Sequence, residues 1–268
     1  MNPHAWLAEL DAELRRRGTG PETAEHVVAE AAAHLTDSGE SPVAVFGRPE
    51  SYAAAVIEII GNRSRRAPGP VRLRARGISK RYRRRVVLDN VDLTVRAGQI
   101  AAVVGANGCG KSTFLGICAG LVSPDTGEVS VDGRLGYCPQ DGGVADFLRP
   151  DEHFILVGAG AGLTRVTAKT RGRDSAAALG WTAADAPTAR HLSGGTRQKL
   201  NLVMSTLTEP DVLLLDEPYQ GFDRGTYVNF WDQLYRLRDE GKAIVVVTHL
   251  LNQLDGVDLV LDLTGAAA

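Results

Sequence analysis

Along the first sixty residues, apolar side chains recur at three- and four-residue intervals. Trp6, Leu7, Leu10 and Leu14 fall on one helical face, and Arg15, Arg16 and Arg17 ahead of Gly18 form a cationic, glycine-stopped end. A second helix is expected from Pro21, with Val27, Val28, Ala31 and Leu35 as its apolar face and residues 38–42 ending it. Pro49 opens a last helix through Tyr52, Val56, Ile59 and Ile60. None of these is long enough to persist alone, so residues 1–62 are expected to pack as a small all-α domain. His26 and His34 read as solvated helix-surface residues. Residues 63–70 are rich in Arg, Pro and Gly, the composition of a linker, and the boundary is placed there.

From residue 71 the periodicity changes. Val71, Leu73 and Ala75 alternate with Arg72, Arg74 and Arg76, and Val91, Leu93 and Val95 alternate with polar neighbours, as half-buried strands do. Residues 128–131 suggest another short strand. Residues 100–104, 212–215, 244–247 and 257–261 are instead runs dominated by apolar residues, the pattern of parallel strands covered on both faces. The fold class is therefore α/β over residues 71–268, a mostly parallel sheet with an antiparallel appendage.

Composition narrows the function. The 268 residues are 44% hydrophobic and 23% charged with net charge -2, which excludes a disordered chain and a globally basic nucleic-acid binder. Eleven basic residues and no acid lie between Arg63 and Arg85; such density could draw an anionic lipid or nucleic acid, but the strand alternation within it favours a solvated basic face. No apolar run reaches the ~18 residues of a spanning helix, and acids occupy the start where a signal peptide would be basic then apolar. A cytoplasmic chain with at most a peripheral membrane role is expected. Cys109, Cys118 and Cys138, odd in number and without metal-ligand spacing, read as reduced thiols.

The chemistry is carried by Gly105-Ala106-Asn107-Gly108-Cys109-Gly110-Lys111-Ser112-Thr113, which follows one apolar run and precedes a helical one. This is the phosphate-loop pattern in its strand-loop-helix setting. Glycines let successive amides converge on phosphate oxygens at a helix N-terminus, Lys111 supplies a charge for the β- and γ-phosphates of a nucleotide, and Ser112 a hydroxyl for Mg²⁺. About a hundred residues later an apolar strand ends in Asp216-Glu217. Carboxylates buried at a strand tip call for a cation and a proton-transfer task, so Asp216 reads as a magnesium partner through water and Glu217 as the group that polarises attacking water.

His191-Leu192-Ser193-Gly194-Gly195-Thr196-Arg197-Gln198 resembles the signature sequence of ATP-binding-cassette (ABC) transporter ATPases, over about residues 72–264. The resemblance implies a P-loop NTPase fold with antiparallel and helical subdomains. It places Ser193, Gly194 and Gly195 against a nucleotide held by a second subunit. It matches Gln140 to the glutamine that touches Mg²⁺ and water, and His249 to the histidine that contacts the γ-phosphate. It also matches Tyr82 to the aromatic that stacks on adenine, and Asp223 to an acid acting across the dimer. Tyr219 and Gln220 depart from it, being bulkier than the family's usual small residues. Residues 1–62 resemble the small helical domain ahead of some bacterial membrane proteins linked to PadR-type regulators.

The expected activity is ATP hydrolysis by a head-to-tail dimer, homomeric or heteromeric, on the cytoplasmic face of a membrane, driving a separate transmembrane permease. The 51 residues between Gln140 and Leu192 form a compact insert, which with the stretch 148–153 resembles the ATPases of exporters; importers usually carry a longer C-terminal part. No nucleic-acid partner is expected. The alternatives are a soluble cassette ATPase acting on nucleic acid or a protein assembly, and a membrane-associated regulator.

Overall fold

The computed structural model describes residues 2–17, 19, 24, 25, 27–29, 31, 32, 35, 41–54, 56, 69–248 and 256–264. The chain divides into two compact units, Met1–Ala67 and Pro68–Ala268, and the division falls within the breaker-rich stretch.

In the first unit α1 (Pro3–Arg16) starts at Asn2, whose side-chain oxygen accepts the His4 amide at 3.0 Å, with Pro3 opening the first turn. Trp6, Leu10 and Leu14, each four residues apart, are fully buried. The Trp6 ring lies 5.4 Å from Phe46 of α2 (Pro42–Phe46) and 5.7 Å from Tyr52, and its indole N–H donates to the Gly47 carbonyl at 2.9 Å. Ala24, Ala31, Leu35 and Ala53 complete this core. The guanidinium groups of Arg16 and Arg17 bond Glu13 and hold its carboxyl down at about 2. The described positions between 24 and 35 are helical; Pro21, His26, His34, Ile59 and Ile60 lie outside the described residues.

The second unit contains two sheets. β1 (Val71–Tyr82) pairs antiparallel with β2 (Arg85–Arg96) on one side and with β4 (Thr126–Val131) on the other. Leu73, Ala75 and Ile78 face inward. On the basic face Arg72 pairs with Asp132 at 2.6 Å and Lys80 with Asp125 at 2.9 Å, so part of the basic run is answered by acids flanking β4. The larger sheet is entirely parallel, in the order β5 (Leu135–Cys138), β6 (Val212–Asp216), β7 (Ala243–Val247), β3 (Ile100–Val104), β8 (Leu259–Asp262). Its continuous apolar runs follow from double coverage. Ala101, Val103, Leu214 and Val245 join a core with Phe114 and Leu115 of α3 (Lys111–Cys118) and the inner face of β1 and β2. Ile100, Ala102, Leu213, Leu215 and Val246 join the opposite core, with Phe154 of α4 (Pro150–Gly160), Leu200 of α6 (Gly194–Thr206) and Phe230 of α7 (Arg224–Asp239). Between α4 and α6 lies α5 (Arg165–Ala178), whose Arg173 reaches Asp151 of α4 at 2.6 Å.

Two strands differ from the sequence reading. β8 is not covered on both faces: among the described residues it pairs only with β3, its residues alternate between half-buried and exposed, and Val260 is 51% exposed. β5 shows no apolar run in the sequence because Gly136 interrupts it; a Cβ there would stand 2.2 Å from the Ser205 carbonyl oxygen, so the close passage of α6 requires the glycine.

Parallel pairing brings all carboxyl ends of this sheet to one edge. The register Val103–Val247, Asp216–Val247 and Cys138–Leu215 places the residues that follow β3, β5, β6 and β7 side by side. Those residues are Gly105, Pro139-Gln140, Glu217 and Thr248.

Candidate active site

The loop after β3 turns through Gly105, Gly108 and Gly110, all at positive φ, and Gly110 starts α3 in the left-handed region at φ 108°. A Cβ on Gly110 would lie 2.7 Å from Val87 Cγ1 and 2.9 Å from the Val87 carbonyl, so β2 seats the loop where only glycine fits. No side chain caps α3. Lys111 is buried and its ammonium donates to the carbonyls of Gly105 at 2.8 Å and Ala106 at 3.2 Å, curling over the loop's own backbone. Cys109 is a buried free thiol whose sulfur stands beside Gly105. Asn107, Gly108, Gly110, Lys111, Ser112 and Thr113 line a cleft of about 690 Å³ whose far walls are Tyr82, Gln140 and Glu217. The sequence-predicted loop, aromatic, glutamine and glutamate thus meet in one place.

Facing the loop, Asp216 and Glu217 are 2% and 8% exposed. Burial pushes the Asp216 carboxyl above the usual carboxylate range, opposed by a hydrogen bond from Ser112 and the Lys111 charge and reinforced by Glu217 and Asp141. Its Oδ1 is buried with no hydrogen-bond partner. A buried acceptor left unpaired beside a serine hydroxyl fits a hard cation, which would supply the missing partner and favour the ionised form. Among the described residues no three His, Cys, Asp or Glu side chains cluster as a metal site, so a magnesium ion here would find its protein oxygens at Ser112, Asp216 and Gln140 rather than in a carboxylate cage. Glu217 sits at φ 45°, a left-handed backbone that costs on the order of 1–3 kcal/mol in a non-glycine residue. Its carboxylate accepts the Gln140 side-chain amide at 3.1 Å.

The ABC transporter family profile matches residues 88–220, a span that runs from β2 through this loop and these acids. Taurine import ATP-binding protein TauB of Pseudomonas aeruginosa is 33% identical over 195 residues, 68% of this chain and 74% of that protein. The chain belongs to the ABC transporter ATP-binding family. Nod factor export ATP-binding protein I of Ralstonia nicotianae is 34% identical over 201 residues, 68% of this chain but only 61% of that relative's length. Among solved structures an ATP-binding subunit of an ABC transporter superposes with TM-score 0.64 at 25% identity, over 71% of this chain and 85% of that one.

Among the described residues, other positions expected of an ABC cassette, Ser193, Gly194, Gly195 and Asp223, do not line the cleft. Ser193 caps α6, its hydroxyl accepting the Thr196 amide at 3.2 Å; Gly194 is exposed, and neither they nor Gly195 line the cleft of this chain. Gly195 backs onto Gly221, where a Cβ would meet the Gly221 carbonyl oxygen at 2.3 Å. Asp223 caps α7 with both oxygens, accepting the Thr226 amide and hydroxyl at 2.9 Å each, and these bonds hold its carboxyl below the usual range. Tyr82 is 48% exposed at the cleft mouth with the Lys80 ammonium 5.5 Å from its ring centre. His249 lies outside the described residues.

Sequence reasoning missed three contributors. Arg85 donates to the Gly108 carbonyl at 2.7 Å and lines the cleft; it had been absorbed into the basic run. Asn201 of α6 donates to the Gly142 carbonyl at 2.9 Å, and with His153, whose Nε2 accepts the Ala145 amide at 2.9 Å, it holds the segment after Gln140. The His153 Nδ1–H therefore serves the Arg149 carbonyl at 2.9 Å, which fixes the neutral tautomer. The glycine pair Gly142-Gly143 was the available signal: a Cβ at Gly143 would lie 2.6 Å from Asn201 Oδ1.

Proposed function

We propose that this ABC chain is the ATP-hydrolysing subunit of an exporter, working as a head-to-tail dimer on the cytoplasmic face of a membrane and driving a permease carried on another chain. The observation that carries the hydrolytic reading is the meeting of Glu217 and Gln140 at 3.1 Å across from the Lys111 loop, next to the unpaired Asp216 oxygen. The amides of the loop and the Lys111 ammonium, once it leaves the Gly105 and Ala106 carbonyls, bind the phosphates of ATP. Tyr82 offers its half-exposed ring to the base. Ser112 and Asp216 would hold a magnesium ion, which would supply charge neutralisation for the phosphates. Glu217, buried and oriented by the Gln140 amide, accepts a proton from attacking water, and His249 completes the γ-phosphate contacts. Ser193, Gly194 and Gly195, which do not line their own cleft, serve the nucleotide of a partner subunit, as does Asp223.

Export rather than import is favoured by the 51-residue insert between Gln140 and Leu192; the matched relatives are named for both directions. The ion pairs of Arg72 and Lys80 with flanking acids weaken the only feature that favoured a nucleic-acid role. Among the described residues no helix is long and apolar enough to cross a membrane, which suits a permease on a separate chain. The test is ATP turnover and size exclusion of the full chain with Mg²⁺. Glu217→Gln is expected to bind ATP, lose roughly 10²- to 10⁴-fold in turnover and accumulate as a dimer, whereas Lys111→Ala loses binding and gives no trapped dimer. Near-normal hydrolysis by Glu217→Gln would remove the glutamate from its role. Direction is read as ATP-driven substrate uptake into inside-out vesicles carrying the chain and its permease; uptake only into right-side-out vesicles refutes export.

A further inference from the structure

Glu217 is held in left-handed backbone, and such a conformation persists only where its surroundings hold it. Two residues on, Tyr219 is 7% exposed, its ring edge-on to Tyr227 at 5.3 Å and to Phe230 at 6.0 Å. Its hydroxyl is hydrogen-bonded to the hydroxyl of Thr248. Thr248 is fully buried and extends the strand ladder beyond β7, its amide donating to the Val103 carbonyl at 3.1 Å. The backbone of the turn closes on itself, Gln220 donating to the Glu217 carbonyl at 3.3 Å and Phe222 to the Tyr219 carbonyl at 3.0 Å. A serine or threonine at 219 would carry its hydroxyl beside the backbone, a ring's length short of Thr248.

We propose that Tyr219 is a positioning residue for the hydrolytic step: anchored on Thr248 at the end of the neighbouring strand, it locks the turn over residues 216–222 and so keeps the Glu217 carboxylate aimed beside Gln140. Tyr219 touches no reacting atom and acts through Glu217, so the assignment rests on the hydrolytic role proposed for that residue. It accounts for a bulky aromatic at a position where the family's usual residue is small.

The test is steady-state ATP turnover and nucleotide affinity of the full chain carrying Tyr219→Phe, which keeps the ring and its packing and removes only the hydroxyl. A misplacement of the base by even part of an ångström is expected to lower kcat by about 10- to 100-fold, with KM for ATP within about twofold of wild type. Thr248→Val is expected to do the same, Thr248→Ser to recover turnover relative to it, and the double variant Tyr219→Phe with Thr248→Val to be no slower than the slower single. Wild-type kcat in Tyr219→Phe, a rise in KM alone, or effects that multiply in the double variant would overturn the proposal. A second readout needs no hydrolysis: the side-chain amide resonances of Gln140, assigned by their loss in Gln140→Glu, are expected to shift in Tyr219→Phe in the direction seen for Glu217→Gln. Unmoved resonances overturn the positioning role. A wild-type chain that binds ATP without turning it over refutes instead the hydrolytic reading, and the amide shift still decides this one.

Discussion

Helices α3 and α6 both follow glycine-bearing loops, yet their first turns are finished in opposite ways. At α3 the capping position is Gly110 at φ 108°, no side chain accepts from the first amides, and the nearest cation, Lys111, is turned back onto the carbonyls of Gly105 and Ala106. At α6 the capping position is Ser193 in extended backbone, and its hydroxyl takes the Thr196 amide. The first arrangement leaves donors at a positive helix end without a side-chain acceptor, which favours an anion there. The second satisfies itself within the chain and needs no ligand to persist. A single chain should therefore hold nucleotide through α3 alone, with α6 contributing only to a nucleotide that another chain presents.

The sharpest way to break this contrast is to put the same methyl group on each helix start. Gly110→Ala drives a Cβ into Val87 and forces an L-residue into φ 108°, so the loop must move away from β2. Bonds from amides to charged phosphate are worth roughly 1.5–3 kcal/mol each, so misplacing two of them is expected to weaken ATP binding about a hundredfold or more. Gly194→Ala meets nothing within 4 Å and is expected to leave ATP affinity of the isolated chain unchanged. Titration of both variants with a fluorescent ATP analogue checks the pair; equal losses would mean that α6 reads the nucleotide of its own chain.

What could be read in the sequence here was what neighbouring residues determine together. The phosphate loop, the strand running into Asp216-Glu217 and the Ser193 cap are each built from contiguous residues, and each lies where its pattern put it. The parallel runs were legible because double coverage leaves no polar alternation, and β8 was misread because an edge strand of four residues can look equally apolar over part of its length. Contacts made by distant elements were not legible. Arg85 reaches Gly108 only because the β1–β2 turn is closed by two residues, and within a run of arginines nothing marks which one turns inward. Tyr219 reads in sequence only as an oversized neighbour of Glu217; its partner Thr248 is set by the order of the strands, which places β7 beside β6.

A smaller effect separates folding from function at α6. Removing the cap in Ser193→Ala is expected to cost about 1 kcal/mol of stability, a fall of about 2–4 °C in Tm for a chain of this size. Nucleotide affinity of the isolated chain should stay within about twofold while turnover per dimer falls. Thermal melts and ATP titrations give the two halves of this result. Loss of ATP affinity in the monomer would erase the division of labour between the two helix starts.

The smallest expected effect has the opposite sign and belongs to the α3 side of the comparison, where stability is given up for a ligand. Burial holds the Asp216 carboxyl above its ordinary range, whereas in the unfolded chain it titrates at about 3.9. Between those two values the folded state binds more protons than the unfolded state, so stability falls as pH rises through that window and stays reduced above it. Asp216→Asn removes the ionisation. Its Tm at pH 7 is therefore expected to exceed that of wild type, by less than the fall expected in Ser193→Ala, with the gap closing as pH falls towards 4. Mg²⁺ with ATP should reverse the order, because a ligand that binds only the folded state stabilises in proportion to its occupancy and the variant lacks the carboxylate charge that would hold the cation beside the oxygen Asp216 leaves unpaired. Calorimetric scans from pH 4 to 8, with and without the nucleotide, measure both. A variant less stable than wild type at pH 7 without ligand would show that Asp216 holds the cleft together rather than holding it ready for a cation.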